Sequence, residues 1–168
     1  MLSWVAMACL CGGFGMLTLL SAVDLKTRLL PNEMVLGFAT LGIVFHLTTL
    51  AQFVEPIDIF VGFSVGFASL YGLRLIANRL YKTDALGLGD VKLMGAGGIW
   101  LGSEGILLAM AIGAVAGMVH GIGHAFYESN VNGTKFNLSR LQIPAGPGFA
   151  VGIIIVAMYL FRDFNPLG

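Results

Sequence analysis

The chain has 168 residues, of which 57% are apolar and 11% are charged, and its nine Lys and Arg residues balance its nine Asp and Glu residues. Soluble proteins carry about 25% charged residues, and a chain of this length has too little buried volume to hide so much apolar surface from water. A water-soluble domain is therefore excluded, and the zero net charge gives no indication of nucleic-acid binding.

Six apolar segments follow one another along the chain, and each approaches the roughly 20 residues that a helix needs to cross a bilayer. They lack the alternation that is typical of barrel strands. The pattern predicts an all-α, polytopic membrane protein with six transmembrane helices in a single membrane-embedded domain, residues 1–168. The segments run roughly Leu2–Val23, Glu33–Phe53, Ile57–Ala77, Ala85–Leu101, Gly105–Phe126 and Ala145–Phe161.

The first segment differs from a secretory signal, because no Lys or Arg precedes it and it exceeds the length of an ordinary signal core. We expect it to be a retained helix. Cytoplasmic connections are enriched in Lys and Arg, and eight of these nine residues fall on one side of the six-helix arrangement. This distribution predicts that both termini are extracytoplasmic. The eight are Lys26, Arg28, Arg74, Arg79, Lys82, Lys92, Lys135 and Arg140.

Two carboxylates lie at the cytoplasmic boundary of apolar segments, where burying a charge is costly. Asp24 opens a run that ends in Leu30-Pro31-Asn32, and Asp90 closes Gly87-Leu88-Gly89-Asp90. The fourth apolar segment is short, so we expect Asp90 to lie a turn or more below the membrane surface. Gly87 and Gly89, which have no side chain, would let another chain approach closely, as an extended peptide substrate requires.

Taken alone, each aspartate is equally well explained as an interfacial cap or as the partner of a nearby Lys or Arg. A lone GxGD is also a weak signal. Glycines before a helix can form a phosphate-binding loop, but the sequence has neither the preceding strand nor the GK[ST] that such a loop needs.

Together with their flanks, these stretches and Ile143-Pro144-Ala145-Gly146-Pro147-Gly148-Phe149 resemble three segments of the type IV prepilin peptidase family, in matching order and spacing. The resemblance spans nearly the whole chain. It implies a membrane-embedded GxGD aspartyl protease with Asp24 and Asp90 as the catalytic pair. The implied reaction is removal of leader peptides from prepilin or pseudopilin precursors, or archaeal pilin-like ones, at the cytoplasmic face of the inner membrane.

Two features depart from the family pattern. Members with a second activity carry a loop with two CxxC pairs and a region tied to N-methylation, and this chain has neither, so it resembles the short, peptidase-only form. In addition, Gly148-Phe149 follows Gly146-Pro147, where many relatives place Phe sooner. No cofactor is expected, since two carboxylates suffice for this chemistry.

The sequence also suggests what surrounds the pair. Prepilin leaders are usually basic, so the acidic residues Glu33, Asp84 and Glu128 are candidates for docking substrate at the cytoplasmic mouth. Lys26 and Lys92 are expected to anchor the protein at the interface with membrane lipid. His120, His124 and Glu128 recur at a helical spacing that a metal site could use, but an aspartyl mechanism gives a metal no task, and none is predicted.

Small residues at every fourth position, such as Gly113 and Gly117, favour close helix packing, chiefly within one chain, and leave oligomer formation open. His46, alone in the second segment, is expected to be hydrogen-bonded inside the bundle. The main alternative function is a small proton-coupled transporter whose buried aspartates carry protons, although no internal repeat supports it. A non-enzymatic pilus assembly scaffold is a third interpretation, which leaves the aspartates unexplained.

Overall fold

The computed structural model describes residues 2–82, 86–132 and 145–165, with side chains for all of these except 124, 125 and 128–132. The described residues form helices without any strand, so the all-α prediction is confirmed. The helices are α1 (Leu2–Thr27), α2 (Asn32–Thr48), α3 (Pro56–Tyr81), α4 (Leu88–Asn132) and α5 (Gly146–Leu160).

Three stretches are long and apolar enough to cross a bilayer, and they lie in α1, α3 and the Leu88–Gly123 part of α4. Helices α2 and α5 are shorter but also apolar. Many large apolar side chains are exposed on the outside of the bundle, among them Leu36, Phe60 and Val119. Such a surface is stable in lipid and not in water, so the chain is a multi-pass membrane protein.

Helix α4 is broken at Gly102, whose φ of 72° lies in the left-handed region that favours glycine. A Cβ on Gly66 of α3 would lie within about 3 Å of both the Met94 carbonyl and the Ile106 side chain. Twelve residues of straight helix would hold Met94 and Ile106 about 18 Å apart. The chain therefore folds back at Gly102, in the gap that the sequence predicted between its fourth and fifth apolar segments.

The second helix ends earlier than the sequence predicts. The second apolar segment was expected to continue to Phe53, but α2 ends at Thr48. Leu50 and Ala51 both have φ of 53°, which turns the chain out of the right-handed helix although both side chains are apolar. Apolarity alone did not show where the helix stops.

Glycines let the helices approach closely. A Cβ on Gly62 of α3 would lie 2.3 Å from the Gly98 carbonyl oxygen of α4, and one on Gly152 of α5 would lie 2.1 Å from the Ala109 carbonyl oxygen. A Cβ on Gly148 would meet the Gly113 carbonyl at 2.7 Å, which explains why glycine precedes Phe149 in this chain. Small residues thus serve packing within one chain, as the sequence predicted.

The two ends of the bundle differ in composition. We call the end where α1 stops and where α4 and α5 begin the carboxylate end, because it holds Asp24 and Asp90. The opposite end, which contains the reversal at Gly102, is the hairpin end. It is closed by aromatic contacts, with the rings of Phe45 and Phe161 at a centroid distance of 4.8 Å.

His46 lies between these ends, near the hairpin end. Its side chain is 3% exposed, and its Nε2 is 3.2 Å from the Trp100 carbonyl oxygen. The indole N–H of Trp100 in turn donates to the Phe38 carbonyl at 2.9 Å. The expectation that His46 is hydrogen-bonded inside the bundle is confirmed.

Candidate active site

Helix α1 carries Asp24 one turn before its end. The backbone N–H of Arg28 donates to the Asp24 carbonyl at 2.8 Å, and Arg28 itself has a φ of 54°, so the helix ends directly below the carboxylate. The Asp24 side chain is only 5% exposed. An early chain reversal therefore leaves this carboxylate buried although it lies near a helix end.

Helix α4 presents Asp90 in its first turn. The side chain is 7% exposed, so it is buried within the bundle, while its depth below the membrane surface stays a prediction. Its carboxylate faces the backbone N–H of Gly87, which precedes the helix. A Cβ on Gly87 would lie 3.1 Å from the Asp90 Oδ2, so the glycine leaves room for the carboxylate to turn back over its own backbone.

The start of α5 completes the site. The backbone N–H of Gly146 faces the Asp24 carboxylate, and a Cβ on Gly146 would lie 2.6 Å from Asp24 Oδ2. Only glycine leaves this carboxylate undisturbed. The third motif segment therefore meets the first, although residues 143 and 144 of that segment lie outside the described part of the chain.

Asp90 lies within range of the charge on Asp24, and both carboxylates are at the same end of the bundle. Among the described residues, Asp24 Oδ2 and Asp90 Oδ1 are buried and have no hydrogen-bond partner. Buried polar atoms are almost always hydrogen-bonded, and two ionised carboxylates at short range repel, so the arrangement favours one shared proton. Such a pair can act as acid and base toward a third group.

Contacts between distant segments join the two motif regions. A Cβ on Gly89 would lie 2.7 Å from the Leu30 Cβ, and Lys92 Nζ donates to Asn32 Oδ1 at 2.8 Å. The sequence predicted that Gly89 leaves room for a substrate, but the chain's own Leu30 fills that space. Sequence reasoning also missed the bond between Lys92 and Asn32, because nothing in the local pattern connects residues 60 apart.

A further contact holds the segment that precedes Asp90. The guanidinium of Arg74 on α3 donates to the Leu86 carbonyl. The sequence placed Arg74 among the residues that set membrane orientation and gave no sign of this bond.

The remaining predicted site residues are only partly described. Glu33 is exposed in the first turn of α2, at the carboxylate end. Asp84 lies outside the described residues, as do the side chains of His124 and Glu128, while His120 is exposed. The part of the chain with described side chains contains no cluster of three potential metal ligands. The docking roles of Glu33, Asp84 and Glu128 stay predictions.

Comparison with known proteins shows the family to which the chain belongs. The model of the type IV leader peptidase family matches residues 11–122, a stretch that contains both Asp24 and Asp90. The chain belongs to the type IV leader peptidase family. The resemblance seen in the sequence is thereby confirmed.

Curated relatives are similar over much of the chain, and each carries the name prepilin leader peptidase/N-methyltransferase. The protein of Xanthomonas campestris is 31% identical over 83% of this chain and 47% of its own length. The Aeromonas salmonicida protein is 30% identical over 90% of this chain and 45% of its own length. The Pectobacterium carotovorum protein is 36% identical over 61% of this chain and 36% of its own length. The chain thus spans half or less of the length of these three relatives. No solved structure matches it.

Proposed function

We propose that this protein is a membrane aspartyl endopeptidase that removes leader peptides from type IV prepilin-like precursors, with Asp24 and Asp90 as its catalytic pair. One observation carries the proposal: in a chain of the leader peptidase family, helices distant in sequence bring two buried carboxylates together, each with an unpartnered oxygen. A structural carboxylate would have its hydrogen bonds satisfied.

The chemistry follows from the shared proton. The ionised aspartate takes a proton from a water molecule, which attacks the scissile carbonyl, while the protonated aspartate donates to the carbonyl oxygen. The two roles belong to the pair and not to either residue, because closely coupled carboxylates titrate together. The need for one acid and one base predicts a bell-shaped dependence of cleavage on pH.

The carboxylate end is the end that we assign to the cytoplasm of the inner membrane. Six of the nine Lys and Arg residues have described positions there, in α1, in the turn after α1, in α3, directly after α3 and in α4, whereas Arg162 lies at the hairpin end. A basic leader entering from the cytoplasm would meet Glu33, which is exposed next to the turn between α1 and α2. The expected partners are therefore prepilin or pseudopilin precursors held in the same bilayer.

A proton-coupled transporter is less well supported. Proton carriers usually place their carboxylates along a path through the membrane, whereas Asp24 and Asp90 lie together at one end. Membership of a leader peptidase family also favours peptide cleavage.

The test is direct. The purified chain, reconstituted in lipid vesicles, is incubated with prepilin-like precursors encoded by the same organism, and each product is analysed by N-terminal sequencing. We expect one new N-terminus at the junction between leader and mature segment. Intact precursors under conditions in which a known leader peptidase cleaves them would overturn the proposal.

A further inference from the structure

The helices that carry the two aspartates have little direct contact. Helix α1 packs mainly on α2 and α5, and α4 packs on α2, α3 and α5. The separation of the Asp24 and Asp90 carboxylates is therefore set by the elements that touch both helices. At the carboxylate end these elements are the start of α5, which faces Asp24, and the turn between α1 and α2.

The turn between α1 and α2 is joined to α4 by two contacts on either side of Asp90. Leu30 packs against Gly89, one residue before the aspartate, and Asn32 accepts a hydrogen bond from Lys92, two residues after it. Since the turn begins only four residues after Asp24, a movement of the turn relative to α4 would move the two carboxylates relative to each other.

Lys92 is poorly placed to act on Asp90 directly. Successive residues on a helix are rotated by about 100°, so a residue two positions away points to nearly the opposite side. Asp90 is buried, whereas Lys92 is exposed and reaches across to Asn32 at the first position of α2. Lys92 therefore contacts the start of α2 and does not direct its charge at Asp90.

We propose that Lys92 and Asn32 are positioning residues, whose hydrogen bond joins the turn between α1 and α2 to α4 and thereby fixes the spacing of Asp24 and Asp90. This inference rests on the proposed function for its consequence in catalysis, but the geometric claim can be tested without substrate.

The first test measures cleavage by variants of the full chain. Lys92→Met and Asn32→Leu should each lower kcat about tenfold, the factor that corresponds to loss of one charged hydrogen bond, with little change in KM. The double variant should be no worse than either single one, because both changes break the same bond. Lys92→Arg should retain most activity, and Lys82→Met, an exposed lysine at the same end, serves as the matched control.

Several outcomes would overturn the pairing. A loss in Lys92→Met without a loss in Asn32→Leu would assign the effect to charge, and additive losses would assign the two residues to separate roles. If the thermal unfolding midpoint fell so far that loss of folded protein explained the lower kcat, the bond would have a structural role only.

The second test measures the proximity of positions 24 and 90 by disulfide cross-linking and does not depend on cleavage. In a chain whose Cys9 and Cys11 are changed to Ala, Asp24→Cys and Asp90→Cys are introduced together and oxidised in membranes. We expect cross-linking to fall when Lys92→Met or Asn32→Leu is added and to persist with Lys92→Arg. Unchanged cross-linking would overturn the proposal. If cross-linking falls as expected while the unmodified protein cleaves no precursor, the positioning role stands and the proposed function fails.

Discussion

The two ends of the bundle use carboxylates in opposite ways. At the hairpin end, the carboxylate of Asp58 on α3 accepts the backbone N–H of Ser103, with both oxygens 3.2 Å away, and so caps the second arm of α4 after the break. At the carboxylate end, Asp24 and Asp90 are more deeply buried, yet each has an oxygen without a partner. A satisfied carboxylate stabilises the fold, whereas an unsatisfied buried pair costs stability, which is the arrangement expected of the catalytic pair that we propose.

The largest effect is expected when each carboxylate of the pair is neutralised in turn. Asp24→Asn and Asp90→Asn keep the size of the side chain but cannot exchange the proton, so each should reduce cleavage by at least about a thousandfold. The double variant should be no worse, because the pair acts as a unit. Cleavage assays and membrane insertion are measured in parallel, with Glu55→Gln at the hairpin end as control.

Both aspartate variants should insert and unfold normally, since removing a charge buried in a membrane relieves a cost. Near-normal cleavage by either variant would remove Asp24 and Asp90 from the mechanism.

A smaller effect is expected from the glycine beside Asp24. A Cβ at position 146 would lie 2.6 Å from Asp24 Oδ2, so Gly146→Ala must displace the carboxylate. A displacement of about 1 Å can cost as much as a hundredfold in rate. We expect kcat to fall by about tenfold or more while the unfolding midpoint stays within a few degrees.

Gly15→Ala on α1 is the matched control for that change. A Cβ at position 15 meets nothing within 4 Å, so activity should be unchanged. Stability should be equal or higher, because alanine favours a helix over glycine by up to about 1 kcal/mol. Equal activity of Gly146→Ala and Gly15→Ala would show that the α5 contact does not constrain Asp24.

The smallest effect is expected at the hairpin end, where a substitution should lower stability and leave cleavage unchanged. Asp58→Asn keeps one acceptor oxygen for the Ser103 N–H but removes the charge. It should lower the free energy of unfolding by about 1 kcal/mol, the difference between a hydrogen bond to a charged acceptor and one to a neutral acceptor. Cleavage per folded molecule should not change. Chemical unfolding in detergent, alongside Glu55→Gln, would measure the difference, and a loss of kcat without a loss of stability would contradict the structural role of Asp58.

The sequence predicted those features whose free-energy cost depends on a local pattern of residues, such as exposing an apolar segment to water or burying a carboxylate. Continuous apolar segments predicted the helices. A carboxylate at the edge of such a segment carries a high desolvation cost, so Asp24 and Asp90 were candidates from their positions in the sequence alone. The position of the fold-back at Gly102 was also predictable, because the charged residue Glu104 lies between the fourth and fifth apolar segments.

Contacts between distant segments were not predictable in this way. Lys92 could be placed at the interface and excluded as a partner of Asp90 from its helical spacing, but its bond to Asn32 depends on how α2 lies against α4. The same holds for Arg74 and the Leu86 carbonyl, and for Gly146, whose role depends on α5 meeting α1. Residue types alone do not encode these distances.

The reversal at Gly102 couples the rotational orientations of the two arms of α4, which are the helical parts before and after that residue. With a single residue between the two arms of α4, the rotational setting of the first arm fixes that of the second. One inserted residue would turn the second arm by about 100° and direct Gly113, which now faces Gly148, away from α5. Because the start of α5 also faces Asp24, an insertion at the turn would remove a contact that holds α5 beside that carboxylate.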